Sequence, residues 1–161
     1  MSTTTDVAPV PTVRNDWLQV GSVVGVIFGL VVGLFASVGG IMPEIGAVIG
    51  MQTLLGGWIL HMSLAFVTSI GFAAALSTSR LSQYAGQLRM LVPMGLAFGV
   101  LMWVLLDALV LAYMGVAFDA PGAVFPNFAI EDSIVTLVFG VLIALTYYGT
   151  RRWIVTGRVA Q

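Results

Sequence analysis

Charge is confined to a few short stretches of this chain. Residues 17–43 carry none, 45–79 carry only what His61 can carry, and 90–106 and 133–150 carry none. A hydrocarbon core about 30 Å thick requires about 20 apolar residues of helix. Four stretches meet that length, and spans are predicted over roughly 18–39, 56–76, 91–114 and 132–150. The 45–79 gap is too long for one span. Pro43 and the Gly56-Gly57 pair bracket a short apolar segment, 44–55, predicted to lie in the interface or fold back on the bundle. The expected fold is all-α, an integral membrane four-helix bundle in contact with the lipid bilayer.

Composition closes the alternatives. Only 8% of the 161 residues are charged, against about 25% in a soluble domain. A soluble enzyme, a disordered chain and a nucleic-acid-binding protein are excluded. There is no Cys, which removes disulfides, thiolate metal sites and Cys nucleophiles, and the single His61 rules out a multi-histidine metal site within one copy. Without a Lys there is no phosphate loop ending in Gly-Lys-Ser/Thr. The hydroxyls nearest His61, Ser63 and Thr68, share its helix, and nothing marks a nucleophile turn. No enzyme, no cofactor and no metal are expected.

All six basic residues are Arg, and they fall on one side of the predicted spans. Arg14 precedes the first span, Arg80 and Arg89 join the second to the third, and Arg151, Arg152 and Arg158 follow the fourth. The other two connections hold Glu44, Asp119, Glu131 and Asp132. The positive-inside rule then predicts a multi-pass protein of the cell membrane with both termini cytoplasmic. Residues 1–16 are predicted as a disordered cytoplasmic tail, 17–153 as the transmembrane domain and 154–161 as a second tail. The first apolar run is longer than the core of a signal peptide, so it is expected to be retained. Trp17, Tyr147, Tyr148 and Trp153 are predicted to mark the inner interface, and Trp58 and Tyr113 the outer one.

The chain also carries signs of an internal repeat. Gly25-Val-Ile-Phe28-Gly29 aligns with Gly95-Leu-Ala-Phe98-Gly99, and His61, Leu64 and Ala65 align with Thr136, Phe139 and Gly140. This predicts two tandem helical hairpins in a parallel repeat, related by an axis along the membrane normal. Gly21, Gly25, Gly29 and Gly33 recur every four residues and form a glycine-zipper stripe on one face. Gly95, Gly99 and Gly140 extend the small-residue pattern. Helices in lipid associate through such close approaches. The stripe serves either packing within the bundle or a homo-oligomer contact.

Asp107 is the one acid inside a span, and an intramembrane carboxyl is a candidate functional group. His61 lies at a matching depth and is predicted to face it across an antiparallel pair. In the repeat Asp107 maps onto Ser37 and His61 onto Thr136, so these four form the candidate polar site. A His61–Asp107 contact fixes helix register or forms a protonatable pair in a transport path. Metal or haem ligation, with thioethers such as Met62 nearby, stays open.

The Gly-x-x-Phe-Gly helices, the His61-Met-x-Leu-Ala stretch and the Thr136-Leu-Val-Phe139-Gly140 echo resemble an uncharacterised small four-span membrane protein family of halophilic archaea. The absence of Lys and the Ala, Val and Gly content agree with a GC-rich archaeal genome. The resemblance implies a histidine at the corresponding position of both halves, where this chain has Thr136, and it implies no activity. The function expected first is a non-catalytic structural or accessory component of a larger membrane complex. A small oligomeric transporter or channel using the His–Asp pair is the alternative, and a haem- or copper-binding membrane protein the second.

Overall fold

A computed structural model describes residues 16–159, with side chains described as far as Ile154. The elements are α1 (Asp16–Val38), α2 (Met42–Ala47), α3 (Leu54–Leu76), α4 (Leu88–Met102), α5 (Ala112–Ala117) and α6 (Ile130–Val159). A π-helical segment, Trp103–Leu111, joins α4 to α5, so Leu88–Ala117 is one long helix. No strand occurs among the described residues. Among the described residues four helices are long and apolar enough to cross a membrane: α1, α3, Leu88–Ala117 and the Ile130–Ile154 part of α6. The tail over residues 1–16 lies, apart from Asp16, outside the described residues.

Local sequence sets where these helices start and stop. Gly40 takes φ +74° after α1, the Ile41 amide donates to the Ala36 carbonyl and the Gly40 amide to that of Ser37. This is the double bond pattern of a glycine-terminated helix. Thr53 begins α3, its hydroxyl accepting from the Gly56 amide at 3.0 Å. The arginines after the fourth apolar run do not stop α6, which continues to Val159. Arginine is a good helix former, so charge ends the apolar run without ending the helix. Residues 154–159, the start of the predicted second tail, are therefore helical.

Two hairpins result. Helix α1 packs along α3, and α4 packs along α6; the hairpins meet mainly where α1 faces α6. Each glycine of the α1 stripe faces α3. A Cβ on Gly25 would lie 2.8 Å from the Phe66 Cα, one on Gly21 2.9 Å from the Ile70 Cα, and one on Gly33 2.5 Å from the Trp58 ring. The stripe is thus covered within the chain and is not free for a second copy. Gly95, Gly99 and Gly140 bring α4 against α6, where a Cβ on Gly99 would sit 2.6 Å from the Thr136 carbonyl oxygen. The short α2 folds back on α3, and a Cβ on Gly46 would lie 2.7 Å from the Gly57 amide nitrogen.

The apolar core sits toward the end that carries Arg80, Arg89, Arg151 and Arg152, here called the arginine end. There Val24, Phe72, Leu76, Leu91, Ala144 and Tyr147 are buried. Tyr147, expected at an interface, is instead core: its ring meets Phe72 edge-on at 5.8 Å. Trp17 and Trp58 are half-buried against neighbouring helices, while Trp153 is 71% exposed. The outward faces of the long helices are apolar as well, with Leu34, Phe35, Val67 and Ile134 all exposed. An apolar belt of this kind is not sustained on a soluble monomer.

Candidate functional site

Between the two hairpins lies a cavity of about 790 Å³. At the end carrying the 39–53 and 118–129 connections, the acidic end and here called its mouth, it is lined by the exposed Glu44 and Gln52 and by Asn127. It runs down between the helices to Thr68 and Ile143. Thr68 is 14 residues into α3, about 21 Å at 1.5 Å per residue. Toward the arginine end Phe72 closes it. Phe72 is 2% exposed and packs edge-on against Phe98 at 5.2 Å and against Tyr147. The walls between are apolar: Phe28, Leu64, Ala65, Phe98, Phe139 and Ile143. The Phe28 and Phe139 rings meet edge-on at 5.6 Å.

His61, Asp107 and Thr136 all line this cavity, whereas Ser37 does not. The Ser37 Oγ is buried without a hydrogen-bond partner, as is that of Ser69. The expected direct contact between His61 and Asp107 is not formed. His61 Nε2 lies 3.1 Å from the Gly29 carbonyl oxygen, to which it donates. Gly29 permits this because, lacking a Cβ, it lets α3 come close; a Cβ there would meet the Met62 sulfur at 2.8 Å. The underlying error concerns helix neighbours. Equal depth suggested that the second and third spans face each other, yet α3 lies against α1 and α2, and the third long helix against α6. The cavity occupies the gap between them.

Asp107 is half-buried and sits in the middle of the π segment. Its carbonyl accepts from the Ala112 amide, but among the described residues its carboxyl makes no hydrogen bond or ion pair. A π segment shifts the backbone pairing by one residue, re-aims side chains and is frequent at functional sites. It also frees an acceptor, the Ala108 carbonyl, which takes the Asn127 amide at 3.0 Å; beside it Trp103 Nε1 donates to the Ala129 carbonyl at 3.2 Å. These two bonds hold the 118–129 connection over the mouth. Asn127 Nδ2 donates to Asp132 Oδ2 at 3.0 Å, and the Thr136 hydroxyl donates to the Asp132 carbonyl.

Sequence reasoning missed Glu44, Gln52, Asn127 and Asp132 as cavity groups. Their clustering in the two acid-bearing connections was the available signal, since those connections meet at one end of the bundle. For metal, no group of three or more His, Asp or Glu side chains among the described residues is arranged to hold an ion. Compared with known proteins, no family model, no curated protein and no solved structure matches the sequence.

Proposed function

We propose that this chain is a non-enzymatic, multi-pass protein of the cell membrane that admits a small solute into the cavity between its hairpins, as a transporter or solute-binding component does. The observation that carries the reading is the cavity. A packed four-helix bundle has no need of a space of about 790 Å³ lined by all four long helices. That volume lies within the range of small-molecule sites, and pockets between bundle helices are a common location for them. An accessory protein that acts only by helix contact gives no reason for such a space, so this reading takes precedence over a purely structural one.

The one-sided arginines support an orientation with that end and both termini in the cytoplasm. The mouth then opens to the outside and the Phe72, Phe98 and Tyr147 layer closes the inside. The repeat reading is supported by the walls: the aligned pairs Phe28 and Phe98, Leu64 and Phe139, and His61 and Thr136 all line the one cavity. Two halves that contribute equivalent residues to a central site are the usual architecture of repeat-built transporters.

Spin labels test whether the cavity holds water. A label at Thr136→Cys faces the cavity and one at Val138→Cys faces outward, where Val138 is 50% exposed, about 3 Å further along α6. In lipid bilayers the first is expected to collide with a water-soluble nickel chelate and the second with oxygen. Equal, oxygen-dominated behaviour at both positions would mean that the cavity is closed or filled by lipid, and the proposal would fail.

A further inference from the structure

We infer that the occupant of the cavity is a small organic cation with an apolar body, its charge held beside Asp107. The inference rests on the solute-binding reading above and deepens it. The cavity is asymmetric in charge. Glu44, Asp107 and Asp132 line it, and among the described residues no Arg does. The one base on its wall, His61, has Nε2 committed to the Gly29 carbonyl. Asp132 has Asn127 as a donor, but Asp107 has no partner among the described residues. An anionic occupant would meet the half-buried carboxyls of Asp107 and Asp132, with the exposed Glu44 beyond them, and charge interactions strengthen as the dielectric falls.

The walls decide between kinds of cation. A bare metal ion needs several oxygen ligands around it, and the described residues bring no three acidic or imidazole groups together. An ammonium carrying its own hydrocarbon needs less. One carboxylate supplies the counter-charge, and aromatic rings deeper in the cavity receive the apolar body. Phe28, Phe98 and Phe139 provide such rings on the walls. The apolar interior and the single unpartnered acid thus fit one molecule that is part hydrocarbon and part positive charge.

The test uses the full chain in nanodiscs and three probes of one size, with binding to empty nanodiscs subtracted. Phenyltrimethylammonium is the cation, tert-butylbenzene its neutral isostere and benzenesulfonate the anion. The cation should bind at least about tenfold more tightly than the isostere, and benzenesulfonate should not bind. D107N should weaken the cation about tenfold and leave tert-butylbenzene unchanged. If cation and isostere bind equally and D107N alters neither, the charge inference is overturned while the solute-binding reading stands. If no probe binds the wild-type chain, both fall. Should D107N fail to fold, the wild-type preference decides, and a cation-to-isostere ratio below about threefold overturns the inference.

Discussion

Single atoms decide most of this architecture. The α1 glycines allow backbone contact with α3, and their substitution should separate by local space. Gly25→Leu places side-chain carbon where the Phe66 Cα is already 2.8 Å from a Cβ, so it should destabilise by about 1–3 kcal/mol. Gly71, inside α3, has nothing within 4 Å of a Cβ, so Gly71→Ala should be neutral or stabilise by about 0.5–1 kcal/mol. Thermal melting in one detergent compares the two, and equal losses would contradict the packing described. His61 and Asp107 give a second residue-scale expectation. Because His61 donates to Gly29 and does not touch Asp107, the effects of His61→Leu and Asp107→Asn should add within about 0.5 kcal/mol. A coupling above about 1 kcal/mol would show that the two groups interact. The residue types at the site were legible, since a lone acid in an apolar run is conspicuous. Which group it faces was not, because that depends on which helices are neighbours.

At the scale of the element, the long helices were legible because the length of an uncharged run limits what a helix can cross. Their ends were less so. Thr53 lies before the predicted start of the second span at Gly56, yet its hydroxyl caps α3. Thr53→Ala should cost about 1 kcal/mol, while Thr53→Ser or Thr53→Asp should restore the loss, as unfolding in mild detergent would show. A loss equal in all three variants would point to packing and not to capping. The back-folded α2 was partly legible, because Pro43 and Gly56-Gly57 bracket an apolar stretch too short to cross. The π segment was not legible at all. Trp103–Leu111 has the composition of any apolar helix, and a one-residue shift in backbone pairing leaves no mark on the pattern. That shift nonetheless sets where Asp107 points and frees the Ala108 carbonyl to hold the 118–129 connection.

For the whole molecule, the sequence pattern indicates two hairpins, and the helix contacts show which faces meet. The cavity arises only at this scale, because its walls come from every long helix and no local pattern encodes a space. Its lining implies sidedness: exposed Glu44 and Gln52 stand at the acidic end, and the buried Phe72 with its ring neighbours lies beyond Thr68 toward the arginine end. The chain has no Cys, so single cysteines report without background. Thr68→Cys sits at the bottom of the cavity, and Ser79→Cys lies exposed in the connection at the arginine end. The measurement is labelling of each by a membrane-impermeant cationic thiosulfonate, applied first to intact cells and then to inverted vesicles. Thr68→Cys is expected to react only in intact cells and Ser79→Cys only in inverted vesicles. Reaction of Thr68→Cys in inverted vesicles, or its failure to react from either side, would contradict a cavity open only to the outside.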